Sequence, residues 1–216
     1  MKGVLVLCEG QTEQTFVSRV LAPHLQRLEK NAIPKVLVTK KSVSGKEFQG
    51  GITSYEKIRK DLQHLLRDTH VDCVTTLLDY YGLPKDFPGK DTQVGRSPYE
   101  RVACLEQAFY EDIQNPRFLP YLMLHEFEAL LFVDLKVVGR VLSPDAPVVL
   151  TDWNPLCCPE EINEGEQTHP SARIQKKFAG YRKALHGPLI VQQIGLERIR
   201  EKCPHFDSWL KKLEAL

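Results

Sequence analysis

Over its first 140 residues the chain alternates short apolar runs of strand length with longer segments of helical period. That alternation restricts it to an α/β fold with a largely parallel sheet. The runs Gly3 to Cys8, Lys35 to Thr39, Val71 to Leu78 and Phe118 to Leu124 are too short, and too apolar or β-branched, for surface helices. Between them, Thr12 to Glu29 spaces Phe16, Val20, Leu21, Leu25 and Leu28 by threes and fours, and Tyr55 to Leu66 does the same with Ile58, Leu62, Leu65 and Leu66. Both predict amphipathic helices. A third, Pro98 to Ile113, opens on Ser97 with a proline at its first position and Glu100 completing a capping box.

Beyond this core region of residues 1–140, the stretch Val141 to Ala172 has acids and prolines but no Lys or Arg, whereas Ser171 to Pro188 carries Arg173, Lys176, Lys177, Arg182 and Lys183 and no acid. The expected organisation of 141–216 is an irregular acidic connection, a basic segment and C-terminal helices packed on the core. Phe206, Trp209, Leu210 and Leu213 would form the docking face of the last helix. With 29 Lys and Arg against 28 Asp and Glu, any attraction to a polyanion must come from local patches. No apolar run approaches the ~18 residues of a membrane span, and MKGVLVLCEG turns polar too early for a signal peptide, so a cytoplasmic location without membrane contact is expected. The six cysteines lack the density of a disulfide scaffold, and no CxxC or HxxxH spacing supports a zinc site.

Three strand candidates end in or near a carboxylate: Glu9, Asp79 and Glu126. In an open α/β sheet the carboxyl ends of the strands converge on a crevice where ligands bind. Clustered carboxylates repel without a cation, and hard oxygen donors suit Mg²⁺ or Mn²⁺ and phosphoryl chemistry. An acid in such a position serves equally well as a helix cap. Glu13 lies one helical turn beyond Glu9. In HEFEALLF, Ala129 stands where HExxH needs its second histidine, which excludes that zinc site. Phe127, Leu130 and Leu131 predict a buried helix there, on which Glu126 and Glu128, two apart, would not share a face; Glu126 is the expected crevice acid. The basic segment interleaves its cations with Phe178 and Tyr181, a mixture suited to phosphate contact and base stacking, or simply to a solvated face. Lys40, Lys41 and Lys46, among Ser and Gly, read as a second backbone clamp or a linker.

The strings CEGQTEQTFV, DYYGLP after the run ending in Asp79, and LHEFEALLF, together with the C-terminal stretch from NEGEQTHPSARIQKKF to FDSWLKKL, resemble the prokaryotic Toprim-like family catalogued as domain of unknown function 4276. Relatives of that family include the nuclease halves of overcoming-lysogenization-defect proteins. The resemblance implies a Toprim-like, Rossmann-like sheet flanked by helices with a helical C-terminal extension. It implies Mg²⁺ or Mn²⁺ held by Glu9, Glu13 and Asp79, a late lysine (Lys183 is the nearest match) that stabilises transition-state charge, and nucleic acid, DNA before RNA, as substrate. It also implies an ATPase partner in defence against phage or mobile DNA. Tyr81 stands where the family pattern has the second Asp of Asp-x-Asp, so a second metal would need Glu126 or Glu128, or the more distant Asp86. Two functions are therefore expected: a metal-dependent nuclease, or a non-catalytic module that binds nucleic acid or the ATPase.

Overall fold

A computed structural model describes residues 1–37, 54–92, 97–145, 158–162 and 168–216. Among the described residues five strands form one parallel sheet: β1 (Lys2–Cys8), β2 (Lys30–Val36), β3 (Cys73–Asp79), β4 (Phe118–Leu119) and β5 (Leu122–Met123). Their order is β2-β1-β3-β4, and β5 pairs with the end of β3. β1 is central because its side chains are apolar on both faces: Val4, Val6 and Cys8 enter one core, and Leu5 and Leu7 the other.

The connection from β1 to β2 runs through α1 (Gln11–Phe16), a π-helical turn (Val17–Leu21) and α2 (Ala22–Gln26), and it packs Phe16, Leu21 and Leu25 on the first face. The connection from β2 to β3 carries α3 (Tyr55–Leu65) on the opposite face, where α4 (Pro98–Ile113) joins it through Val102, Leu105 and Phe109. Strands β1 and β3 thus send their helices to opposite faces, which opens a crevice between their carboxyl ends. The molecule is a Rossmann-like α/β fold, with the parallel sheet that the alternation of runs predicts.

Several expected boundaries move, each for a local reason. β2 begins earlier than the expected Lys35 to Thr39 and contains Pro34 opposite Val6; a proline is tolerated there because β2 is an edge strand. The expected residues 38 and 39 lie outside the described residues. The first helix widens into its π turn just before Pro23, whose ring and missing N–H disrupt the regular ladder. It ends at Gln26, with Glu29 left-handed at φ 60°, so Leu28 is 42% exposed instead of buried. The start of α4 is as expected: the Ser97 N–H donates to Glu100 Oε2 at 2.9 Å and the Glu100 N–H donates to Ser97 Oγ at 3.3 Å. Ser97→Ala is expected to cost about 1 kcal/mol in chemical denaturation, the usual value of an N-cap.

The C-terminal half completes the first face with α5 (Leu135–Leu142), α6 (Pro170–Lys177), α7 (Lys183–Ile194), α8 (Leu196–Lys202) and α9 (Pro204–Glu214). Gly187 lets α7 approach closely, since a Cβ there would lie 3.3 Å from both the Phe127 ring and the Tyr181 hydroxyl. Phe206, Trp209, Leu210 and Leu213 are all buried, and the Trp209 indole N–H donates to Thr75 Oγ1 on β3 at 2.9 Å. From the acidic connection, Glu160 is fully buried and accepts from the Phe206 N–H at 2.9 Å, the His205 N–H at 3.0 Å and the Tyr99 hydroxyl at 3.1 Å. It satisfies the open N-terminus of α9, for which the N-cap residue Cys203 offers no side-chain bond. Among the described residues no helix is long and apolar enough to cross a membrane.

Candidate functional site

Glu9 leaves the end of β1 and Asp79 ends β3, so the crevice holds both carboxylates. The backbone links the two residues: the Asp79 N–H donates to Glu9 Oε2 at 3.2 Å. Asp79 Oδ1 accepts from the Phe127 N–H at 3.0 Å, which ties the sheet edge to the segment after β5. Glu13, buried in the first turn of α1, folds back to accept from the Gly10 N–H at 2.8 Å. Gly82 is packed against the same cluster, since a Cβ there would lie 3.2 Å from Glu9 Oε1.

The other two acids sit on a segment that differs from expectation. His125 is left-handed at φ 64°, Glu126 is extended, and Phe127–Val133 forms 3-10 turns instead of an α-helix. An extended Glu126 escapes the helical spacing rule, so both glutamates reach one partner: Lys183 Nζ lies 3.1 Å from Glu126 Oε2 and 3.3 Å from Glu128 Oε2. Glu126 is further held by the Ser171 N–H, by Ser171 Oγ at 2.9 Å and by His169 Nδ1 at 3.0 Å. Glu128 Oε1 accepts from the Tyr181 hydroxyl at 3.1 Å. Sequence reasoning missed His169, Ser171 and Tyr181 as partners; the one available signal was the His-Pro step at 169–170, which reads as a helix start.

Electrostatics divide the five acids into two groups. Desolvation drives the Asp79 carboxyl well above the ordinary range, and Glu9 and Glu13 add repulsion. Glu13 is pushed up to about 7 by desolvation first and by the Glu9 charge next. Glu9 is also raised, by desolvation, against the opposing Asp79 amide and Lys183. Glu128 is pushed up to about 7 because desolvation outweighs Lys183. Glu126 alone is lowered: desolvation opposes this, but Lys183, the Ser171 amide and His169 outweigh it. Lys183 is raised despite desolvation because Glu128, Glu126 and Asp79 favour its charge.

Lys183 begins α7, where the helix dipole disfavours a cation, so the glutamate pair is what holds it there. Lys183→Met is expected to lower the melting temperature more at pH 8 than at pH 5, because at pH 5 Glu128, raised to about 7, carries a proton and only Glu126 still needs the ammonium. Equal losses at both pH values would contradict this.

As a metal site the donor chemistry fits only in part. Glu9, Glu13 and Asp79 present hard carboxylate oxygens that repel one another, the set Mg²⁺ or Mn²⁺ would relieve. Glu126 and Glu128, expected as additional ligands, are already engaged by Lys183 and its neighbours. Among the described residues no three His, Cys, Asp or Glu side chains are gathered as a ready-made ion site. Asp86 is a cap, not a ligand: its two oxygens accept from the Tyr55 N–H at the start of α3 at 3.0 and 3.1 Å.

The basic segment also differs from expectation. Phe178 and Tyr181 are buried in the core, so neither ring is open for base stacking. Arg173 Nε donates to the Thr168 carbonyl, Lys176 and Lys177 are exposed in the last turn of α6 where they suit its dipole, and Arg182 is exposed before α7. Lys40, Lys41 and Lys46 lie outside the described residues.

Fold and site together define a Rossmann-like α/β protein with a carboxylate crevice at its strand-order switch and one lysine facing it. The chain belongs to the family described as Domain of unknown function (DUF4276), whose model matches residues 8–214 and so includes all five acids and Lys183. Neither the curated proteins nor the solved structures yield a match to the chain.

Proposed function

We propose that this chain is a Toprim-like nuclease dependent on Mg²⁺ or Mn²⁺, hydrolysing phosphodiesters in the cytoplasm. The observation that supports the reading is that Glu9 after β1, Glu13 in α1 and Asp79 at the end of β3 lie close enough at the switch-point crevice to repel one another, with Lys183 within reach of their charges. Glu9, Glu13 and Asp79 would hold the cation. When bound, such an ion neutralises the scissile phosphate and acidifies water. Lys183, kept charged by Glu126 and Glu128, would meet charge developing on the phosphoryl oxygens. Glu126 and Glu128 then act as positioning residues for the lysine, and Ser171, His169 and Tyr181 hold those two in turn. The ATPase partner and the role in defence against phage or mobile DNA rest on the sequence resemblance alone.

The second reading is a non-catalytic module that binds nucleic acid or the ATPase. Two features favour it: Tyr81 stands where the Toprim resemblance would place the second Asp, and Lys183 is already paired with two glutamates. A nuclease assay decides between the readings, with Mg²⁺ or Mn²⁺, single- and double-stranded DNA and RNA, wild type against Glu9→Gln, with and without the ATPase. Metal-dependent cleavage lost in Glu9→Gln supports the nuclease. Binding without cleavage under every condition supports the module.

A further inference from the structure

We infer that Tyr81 is a stacking platform for an unpaired nucleobase, which makes single-stranded nucleic acid the substrate class of the crevice. The inference rests on the nucleic-acid reading above and deepens it. Tyr81 lies two residues after Asp79, in the single 3-10 turn Tyr80–Gly82 whose Gly82 packs against the Glu9 carboxylate. Its ring is therefore beside the acids and not on a remote surface.

The ring is both exposed and fixed. Tyr81 is 46% exposed, one of the few large apolar side chains among the described residues to be so. One face stacks on the His169 imidazole at a centroid distance of 5.5 Å and an interplanar angle of 29°. His169 is itself anchored, with Nδ1 3.0 Å from Glu126 Oε1 and 3.1 Å from Ser171 Oγ, and it stands at the N-cap position of α6. The Tyr81 backbone N–H donates to the His125 carbonyl at 3.0 Å. A ring already immobilised this way loses little further freedom when a ligand covers it.

Chemistry then selects the ligand. Lys183 and a cation held by the acids would attract a phosphate, and an aromatic face beside a phosphate site accepts a base by stacking, whatever its identity. Bases within a duplex are already stacked on each other and cannot present a face to a side chain, so the partner is an unpaired base. The tyrosine that departs from the family's Asp-x-Asp pattern thereby acquires a role of its own, and the rings of the basic segment, being buried, do not compete for it.

The test is equilibrium binding by fluorescence anisotropy of the full chain with Ca²⁺ present. The probes are a labelled single-stranded oligonucleotide, the same length of abasic strand, and the matching duplex. Tyr81→Ala is expected to weaken single-strand binding roughly 10-fold or more, the usual effect of losing one stacked base. Tyr81→Phe should bind like wild type, the abasic strand should bind wild type as weakly as the intact strand binds Tyr81→Ala, and duplex affinity should not respond to either substitution. Thermal melting of both variants checks that the fold is retained. If intact and abasic strands bind alike, or Tyr81→Ala leaves single-strand affinity unchanged, the platform is overturned while the nucleic-acid reading stands. If none of the three probes binds wild type, that reading falls and the platform with it.

Discussion

Asp79→Asn and Glu9→Gln are expected to raise the melting temperature of the metal-free protein and, on the proposed nuclease reading, to lower Mg²⁺-dependent cleavage more than ~100-fold. The two effects share one cause. Each substitution removes a charge from a desolvated cluster, and each keeps an oxygen for the hydrogen bond already present, from the Phe127 N–H to Asp79 and from the Asp79 N–H to Glu9. The fold therefore loses repulsion without losing a bond. Catalysis loses an anionic oxygen donor, and even outer partners of a metal site typically cost 10–100-fold when changed. Calorimetry and cleavage assays on the same preparations read both effects. Variants that melt lower than wild type and cleave normally would identify the two acids as structural caps.

The second large effect is a pH dependence that metal reverses. Glu13 and Glu128, both raised to about 7, hold protons in the folded state that the unfolded chain releases near its ordinary carboxylate range, starting from 4.5. The folded state thus binds more protons between about pH 4.5 and 7, and stability falls as pH rises through that window. Asp79 and Glu9 act in the same direction. His186, held down by desolvation and by Arg182, opposes them below about pH 6.5. Glu126, being lowered, contributes only at more acid pH. For Glu13 alone the loss is on the order of 3 kcal/mol. For a chain of this size that corresponds to roughly 5–10 °C in melting temperature between pH 5 and pH 8. A cation prefers the ionised acids, so free Mg²⁺ or Mn²⁺ at ~100 times its dissociation constant should restore about 2.7 kcal/mol, chiefly above pH 7. A melting temperature that is flat with pH, or that metal leaves unmoved at pH 8, would remove the electrostatic basis for a cation site.

The legible parts of this chain are those where one local rule decides. Strand-length apolar runs place Glu9 and Asp79 at strand ends, and parallel pairing alone brings those ends together. The capping box at Ser97 is equally local. What escaped the reading depends on backbone geometry or on distant partners. Glu126 and Glu128 meet on one lysine because the left-handed His125 and an extended Glu126 replace a helix, and nothing in HEFEALLF announces a positive φ at a histidine. Tyr181 reads as a solvated aromatic among cations, yet the burial of its ring and its bond to Glu128 become visible only once α7 docks. Glu160 belongs to a stretch that looks solvated by composition, but its partners lie 45 and 46 residues away at the start of α9. Pro34 argues against a strand unless the strand is known to lie at the sheet edge.

The bond from Trp209 to Thr75 spans 134 residues and joins the last helix to an inner strand. A ribosome adding about 5–20 residues per second needs roughly 7–27 s to travel that distance. Throughout that interval one face of the nascent sheet, including the side of β1 that carries Val4 and Val6, is without the indole and the Phe206 ring that finally cover it. Such long-range closure slows folding and leaves an apolar surface open to aggregation or to chaperones. Yield in the cell should therefore respond more steeply to growth temperature than the equilibrium stability of the finished protein does.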